Sequence, residues 1–194
     1  CYYNFDAEEH VREEAVYDST EDLHISFDFN VNPMSCSIHQ VYGGSFLVSI
    51  DEISLKNSNT AEVCREFIKR YGGEGKNHRQ RILVYGDASA VVGISNYDEI
   101  ESWLRPAFTN SILTRVPKKN PRHLSRLKAA NGLLSNSKGD IRWLINPKCK
   151  QLIMDMQLQR MVDGMSKDKN QSHPEGGTLG HMSDTVDYLI DQVF

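Results

Sequence analysis

Apolar and polar residues form short β-type runs near the start of the chain and helical patterns further on. Three runs, 24–29, 34–42 and 45–50, are rich in β-branched and aromatic residues, which predicts three sequential strands. Gly43-Gly44 separates the last two runs and is typical of a two-residue hairpin turn, so we expect antiparallel pairing. A continuous apolar run over 81–85 predicts a further strand that is buried on both faces.

Helical spacing follows these strands. Asn59 and Glu62 have the spacing of a capping box at the start of a helix. Asn146 and Pro147 are typical of the cap and first residue of another. The other helical patterns cover 97–107, 121–134 and the C-terminal residues, a short strand is expected over 112–116, and 163–180 is expected to be a long polar loop. Strands followed by alternating helices predict a mixed α/β fold.

Charge is distributed unevenly along the 194 residues, of which 39% are hydrophobic and 25% are charged. The formal net charge is −4, which by itself argues against a nucleic-acid-binding protein. Residues 1–22 carry eight acids against the single base Arg12, so the remaining residues carry 21 bases and 18 acids, a net of +3. We therefore expect an acidic leader or linker over 1–22 and one domain over 23–194.

The cysteines and the hydropathy narrow the class of protein. Four cysteines lie far apart without a C-x-x-C pair, which predicts neither a zinc knuckle nor a disulfide framework, and a reducing intracellular compartment fits this pattern. No run of 18 apolar residues occurs, so no membrane span is expected.

Three acids lie at the edges of apolar elements. Asp28 is flanked by two phenylalanines, Asp87 follows the buried run 81–85, and Asp184 lies near the start of the last helix. Singly, they fit a strand-edge acid, a turn or cap, and a first-turn acid that matches the helix dipole. Together they predict a carboxylate cluster, which needs divalent cations such as Mg²⁺ or Mn²⁺ to be stable. Two such ions can hydrolyse a phosphodiester.

The order of these acids along the chain is that of ribonuclease-H-like nucleases, and the motifs around them are similar to one family. The stretches that resemble it are Phe-Asp-Phe-Asn-Val-Asn-Pro-Met (27–34), Val-Tyr-Gly-Asp-Ala-Ser (84–89) and His-Met-Ser-Asp-Thr-Val-Asp-Tyr-Leu-Ile (181–190). Residues 2–6 and 10–11, the segment 120–131 and Asn-Pro-Lys-Cys (146–149) look similar too. The chain thus resembles the nuclease domain of the large terminase subunit of tailed double-stranded DNA bacteriophages.

The resemblance implies a ribonuclease-H-like fold, with a mixed central sheet whose antiparallel hairpin strands come first and whose parallel strands follow, flanked by helices. It implies a metal-dependent endonuclease that cuts concatemeric phage DNA during packaging, with two Mg²⁺ or Mn²⁺ ions held by Asp28, Asp87 and Asp184. His181 would orient the third acid or contact a metal or phosphate. Many relatives have an acid where Asn32 stands, which weakens any accessory metal role there, and a glycine where Ala90 stands, which makes that loop slightly stiffer here.

The same resemblance implies partners and a location. Double-stranded DNA would be the substrate, and the full-length protein would engage the portal and the small terminase subunit in the cytoplasm of the infected bacterial host. The isolated domain is expected to be a monomer that contacts no membrane. No G-x-x-x-x-G-K-[ST] motif occurs, so ATP hydrolysis is not expected of this chain, and 1–22 would lead from an N-terminal ATPase domain.

Basic residues predict where DNA would bind. One strip contains Lys118, Lys119, Arg122, Arg126 and Lys128, with Arg122 and Arg126 expected on the helix face opposite Leu124 and Leu127. Lys76 and Arg79 belong to a second, looser cluster, and the loop with Lys167 and Lys169 is a third candidate. Such residues bind phosphates irrespective of base sequence, although an ordinary solvated face has the same composition.

Two alternatives stay open at this stage. Another ribonuclease-H-like enzyme, such as a junction resolvase or a transposase core, would share the three acids but not the packaging role. A non-catalytic module that docks on the packaging motor would use the same acids as structural caps.

Overall fold

A six-stranded mixed β-sheet forms the centre of the protein. The computed structural model describes residues 1–30, 32–72, 78, 80–91, 96–108, 111–174 and 176–194. The strands are β1 (Leu23–Asp28), β2 (Met34–Tyr42), β3 (Phe46–Leu55), β4 (Ile82–Gly86), β5 (Ile112–Thr114) and β6 (Trp143–Ile145), and a separate hairpin is formed by β7 (Met161–Val162) and β8 (Ser166–Lys167). The helices are α1 (Ala7–His10), α2 (Thr60–Tyr71), α3 (Asn96–Leu104), α4 (His123–Leu134), α5 (Lys150–Leu158) and α6 (His181–Val193), and a 3₁₀ turn covers Ala88–Val91.

The order of strands across the sheet is β5-β4-β1-β2-β3-β6. The pairs β1–β2 and β2–β3 are antiparallel, whereas β4 is parallel to β1, β5 is parallel to β4, and β6 is parallel to β3. This arrangement confirms the predicted mixed sheet, with its antiparallel hairpin strands first and its parallel strands later. The carboxyl ends of β1, β3, β4, β5 and β6 therefore lie at one edge of the sheet.

Each face of the sheet is covered by helices, as expected for an α/β domain. Ile82 and Val84 of β4 belong to the apolar cluster that includes residues of α2 and α3. Leu83 and Tyr85 belong to the opposite cluster, together with residues of α4, α5 and α6. Because alternate side chains of a strand point to opposite faces, β4 is buried on both sides, which confirms the prediction for 81–85.

Several boundaries differ from those predicted. Strand β6 was not expected, and α5 begins at Lys150 rather than at Pro147. The Asn146 side chain instead accepts a hydrogen bond from the Lys148 amide, so it closes a turn before the helix. The hairpin β7–β8 lies partly inside the segment 163–180, which was expected to be a loop.

Residues 1–22, expected to be a leader, pack against the sheet domain. The side chains of Tyr2, His10 and Ala15 are buried, and Val11 forms a parallel bridge with Ile145 of β6. The acids of this segment remain largely exposed, while Tyr2 and Ala15 belong to the apolar core. Within the described part of the chain, no helix is long and apolar enough to cross a membrane.

Candidate active site

Two of the predicted acids lie side by side because of the register of two parallel strands. Phe27 of β1 pairs with Gly86 of β4, so Asp28 and Asp87 follow at the same edge of the sheet. Gly86 has a φ of +155°, and a Cβ there would lie 2.7 Å from both the Phe27 carbonyl oxygen and the Tyr97 hydroxyl. Only glycine lets the strand end and Tyr97 approach this closely.

Asp28 is held by two polar side chains. Its Oδ2 accepts hydrogen bonds from Asn30 Nδ2 at 2.6 Å and from His181 Nδ1 at 2.9 Å. A carboxylate can only accept, so Nδ1 carries the proton, and Nε2 of His181 lies 2.9 Å from the Thr178 hydroxyl. His181 was expected to orient Asp184 or to contact a metal or phosphate, and the carboxylate that it contacts in the structure is Asp28.

Asp87 lies in a small hydrogen-bond network. Its Oδ1 accepts from Asn120 Nδ2 at 2.6 Å and from the Ser89 amide at 2.7 Å, and its Oδ2 accepts from the Tyr188 hydroxyl at 3.3 Å. Burial by itself would raise the pKa of Asp87, but the hydrogen bonds from Asn120 and Ser89 outweigh it and hold the pKa below its usual value. The carboxylate is therefore ionised at neutral pH.

Asp184 lies in the first turn of α6 and is held by two lysines. Lys167 Nζ donates to its Oδ1 at 2.8 Å and also lies 2.7 Å from Asp187 Oδ2, and Lys169 Nζ contacts Oδ2 of Asp184. The Lys167 side chain is fully buried, whereas that of Lys169 is 48% exposed. Burial opposes ionisation of Asp184, but the two ammonium groups outweigh it and hold its pKa far below the usual value.

Tyr188 of α6 links two of the three acids. Its hydroxyl donates to Asp87 at 3.3 Å, and Asp184 lies one turn earlier on the same helix. Burial is the largest cause that raises the pKa of Tyr188, and the charges of Asp184, Asp87 and Asp28 raise it further. The Arg126 guanidinium lies over the Tyr188 ring at 4.8 Å from its centroid.

The carboxylates suit a hard divalent cation, but the oxygens of Asp184 are bonded to lysines. Asp28 and Asp87 present carboxylate oxygens at neighbouring strand ends, the ligands that Mg²⁺ and Mn²⁺ prefer. Both oxygens of Asp184 are bonded to ammonium groups. In the arrangement described, no three His, Cys, Asp or Glu side chains form a set that could hold a metal ion. The half-exposed Lys169 is the group whose displacement would open Asp184.

The predicted basic residues fall into different environments. Lys118, Lys119, Arg122 and Lys128 are exposed, as a phosphate-binding strip requires. Arg126 is only 2% exposed and Leu124 is 41% exposed, so the predicted orientation of α4 is wrong at these two positions, whereas Arg122 is exposed and Leu127 is buried as predicted. Arg126 turns inward because the Tyr188 ring and the charges of Asp187 and Asp184 stabilise its cation.

The other two predicted basic clusters are the loop with Lys167 and Lys169 and the cluster with Lys76 and Arg79. Lys167 cannot lie on a DNA-binding surface in this arrangement, since its ammonium is buried between Asp184 and Asp187. Lys76 and Arg79 lie outside the described residues.

Solved structures of bacteriophage large terminases and of large terminase nuclease domains are similar to this chain. The large terminase of the thermophilic bacteriophage D6E matches with a TM-score of 0.66 and 19% identity, over 99% of this chain and 44% of that one. The P22 large terminase nuclease domain matches with a TM-score of 0.58 and 11% identity, over 94% and 88%. The large terminase nuclease of thermophilic phage G20c with bound magnesium matches with a TM-score of 0.49 and 14% identity, over 95% of this chain and 84% of that one. The protein has the ribonuclease-H-like fold of large terminase nuclease domains.

These matches rest on structure alone. No protein-family model matches the chain, and no curated protein is significantly similar to it. The chain spans about 44% of the length of the D6E large terminase. The P22 match, by contrast, covers most of an isolated nuclease domain.

Two residues of this site were not assigned a site role from the sequence, and a third was assigned a different one. Asn120 bonds Asp87, and Tyr188 bonds Asp87 from the helix turn after Asp184. Lys167 was a candidate for DNA binding, but its ammonium bridges two acids of α6. The available signal for Tyr188 was its spacing of four positions from Asp184 in the predicted last helix, and Asn120 was part of a segment that resembled the family.

Proposed function

We propose that this chain is a metal-dependent endonuclease domain that cuts concatemeric double-stranded DNA during phage genome packaging. The observation that carries the proposal is the juxtaposition of Asp28 and Asp87 at neighbouring strand ends, with Asp184 on α6 one turn before Tyr188, whose hydroxyl bonds Asp87. The likeness in fold to the terminase nucleases of D6E and P22 supports the packaging role. In the longer protein the domain would act with a portal and a small subunit, in the cytoplasm of the host cell.

Asp28, Asp87 and Asp184 would hold two Mg²⁺ or Mn²⁺ ions. When bound, such ions supply an activated water and stabilise the leaving oxygen of the phosphodiester. Asp87 suits this role because its hydrogen bonds keep it ionised. Asp184 would join when Lys169 moves from its carboxylate to solvent or to a DNA phosphate.

The surrounding side chains position the acids. His181 donates its Nδ1 proton to Asp28 and is itself fixed by Thr178 at Nε2. Asn120 fixes Asp87 from the segment that precedes α4, where its Oδ1 also accepts the Ala88 amide at 2.8 Å. These contacts orient the carboxylate oxygens before any ligand binds, which lowers the cost of assembling the site.

Nicking of supercoiled plasmid in Mn²⁺ or Mg²⁺ tests the proposal. We expect Asp28→Asn, Asp87→Asn and Asp184→Asn each to slow nicking by about 100-fold or more, since each removes charge at the reacting centre. Asp191→Asn is the matched control, because Asp191 lies on α6 and its carboxylate bonds only the neighbouring Gln192 among the described contacts. Undiminished nicking by any two of the three variants would overturn the assignment.

Branched and linear DNA distinguish the remaining enzyme class. A terminase nuclease cuts ordinary duplex, whereas a junction resolvase strongly prefers branched substrate. We expect comparable cleavage rates on a duplex and on a four-way junction of the same sequence. A strong preference for the junction would replace the packaging role by a resolving one.

A further inference from the structure

A polar groove lies on the side of the carboxylates away from Lys118 and Lys119. It has a volume of about 600 Å³ and runs beside the C-terminal half of β3, beyond the residues of β3 that pair with β6. Four basic side chains line it, Lys56, Arg70, Lys148 and Lys150, together with two acids, Asp51 and Glu52. The lining therefore carries an excess of positive charge.

The two acids of the groove are satisfied by partners within the fold. Asp51 accepts from Arg70 at 3.0 Å and from the Tyr71 hydroxyl at 3.0 Å. Glu52 accepts the backbone amides of Gln151 and Leu152 at 2.7 and 3.0 Å. Their oxygens thus point to groups of the protein and leave little repulsion for an anionic ligand.

The lysines of the groove keep cationic groups at its surface. Lys148 lies 3.5 Å from Asp51, but its side chain is 52% exposed. Lys150 is exposed at the first position of α5. An anion in the groove would therefore meet two ammonium groups without displacing a buried ion pair.

The groove is continuous with the proposed catalytic residues. A smaller pocket shares Pro33, Ser54 and Thr178 with it and reaches His181. The Thr178 hydroxyl contacts His181, and His181 contacts Asp28. A chain of atoms therefore leads from the groove to the first acid.

The strand order gives the scale of this arrangement. Asp28 is level with Ser54 of β3, two strands away, and Lys148 contacts Asp51, which lies three residues before Ser54. At about 4.8 Å per strand across the sheet and about 3.3 Å per residue along the strand, Lys148 lies about 14 Å from Asp28. Successive phosphates of one DNA strand are about 3.4 Å apart along the helix axis, so about four nucleotides span that distance. Lys118 and Lys119 follow β5, which lies on the opposite side of the acids.

We propose that the groove around Lys148 and Lys150 binds backbone phosphates of the DNA that is being cut, about four nucleotides from the scissile bond. The inference rests on the proposed function and adds a second contact surface to it. DNA would then be held on both sides of the carboxylates. Contacts to phosphates hold the duplex in register without reading its sequence.

Duplex binding without cleavage tests this groove. Binding of a short fluorescent duplex is measured in EDTA over a series of salt concentrations for the wild type and for the double variant Lys148→Gln/Lys150→Gln. We expect the slope of log K against log salt to fall in magnitude by about 2, one contact per lysine. The single variant Lys150→Gln should reduce the magnitude of this slope by about 1, and it leaves the Lys148–Asp51 ion pair intact. The matched control is Lys69→Gln/Lys138→Gln, two exposed lysines outside the groove.

A second measurement locates the contact on the DNA. Neutral methylphosphonates are placed singly along one strand of the duplex, at increasing distance from the bond at which the wild type nicks it. We expect substitution about four nucleotides to one side of the nick to weaken binding of the wild type and to have no effect on Lys148→Gln/Lys150→Gln. Equal sensitivity of both proteins at every position would overturn the inference.

The outcomes separate this inference from the proposed function. If the wild type nicks plasmid and the double variant binds duplex with unchanged affinity and slope, the groove is not a DNA contact and the nuclease assignment stands. If the wild type binds duplex through these lysines but never nicks in Mn²⁺ or Mg²⁺, the groove stands and the nuclease assignment fails. If no variant changes either the salt slope of duplex binding or the nicking rate, both the groove inference and the nuclease assignment are contradicted.

Discussion

The Nδ1 atom of His181 lies 2.9 Å from Oδ2 of Asp28, although 153 positions separate the two residues in the chain. This contact joins the first residue of α6 to the last residue of β1. Thr178 holds the other ring nitrogen. His181 is thus a positioning residue for the first acid.

Replacing His181 separates positioning from mere packing. We expect His181→Phe, which keeps a ring but loses both polar contacts, to slow nicking by about 10- to 100-fold and to raise the Mn²⁺ concentration needed for half-maximal rate. His181→Asn places an amide nitrogen near the Nδ1 position and should restore most of the rate. Nicking is followed over a Mn²⁺ titration, and an unchanged metal requirement in His181→Phe would contradict the positioning role.

The buried ammonium of Lys167 gives a prediction about stability. Lys167→Met should lower the free energy of unfolding by about 3–5 kcal/mol, because it leaves Asp184 and Asp187 as buried charges without their shared partner. Lys169→Met is the matched control. It removes a half-exposed partner of the same carboxylate and should cost no more than about 1 kcal/mol. Urea denaturation gives both values, and equal costs for the two variants would show that Lys167 is not the essential cation.

Local patterns predicted most of the sheet. The Gly43-Gly44 turn and the alternation around it place β2 against β3 within a short stretch of chain, and 81–85 could be recognised as a central strand from its own composition. Strand β6 has only three residues, and it is defined by pairing with Leu47–Ser49, almost a hundred positions earlier. No local signal distinguishes such a segment from a loop.

In the candidate site, too, some residues have a local signal in the sequence and others have a role that only the folded structure shows. Asp28, Asp87 and Asp184 were predicted because each lies at the edge of an apolar element. Lys167 lies in the polar stretch Ser-Lys-Asp-Lys-Asn, and only the fold shows that its side chain is buried against α6. Arg126 was expected to face solvent because charged residues usually do, whereas the acids of α6 and the Tyr188 ring draw it inward.

Glu52 gives the fold a pH-dependent stability. Burial raises the pKa of Glu52 from 4.5 to about 7, despite the hydrogen bonds from two backbone amides. The folded protein therefore binds a proton more tightly than the unfolded chain, so this group lowers stability progressively as the pH rises from about 4.5 to about 7. The full loss is up to about 3 kcal/mol.

Glu52→Gln removes this titration. We expect the difference in the free energy of unfolding between variant and wild type to shift in favour of the variant between pH 5 and pH 7, and then to level off. Urea denaturation at closely spaced pH values measures it. A curve for Glu52→Gln that runs parallel to the wild type would contradict the raised pKa of Glu52.

Arg126 and the exposed pair Lys118 and Lys119 should contribute to DNA cleavage in different ways. The guanidinium of Arg126 is buried over Tyr188, and its Nε and Nη1 have no hydrogen-bond partner among the described residues. We expect Arg126→Met to slow nicking while the salt dependence of duplex binding stays close to that of the wild type. Lys118→Gln/Lys119→Gln should instead reduce the slope of log K against log salt by about 2, because each lysine would release one phosphate counterion.

Arg126→Lys tests whether the planar guanidinium itself is needed. Lysine keeps the charge but not the flat face that lies on the Tyr188 ring, so we expect it to recover only part of the nicking rate. Thermal unfolding of each variant separates lost activity from lost fold. If Arg126→Met reduces the magnitude of the salt slope by about 1, then Arg126 reaches the DNA backbone, and the inward orientation of its side chain does not persist when DNA binds.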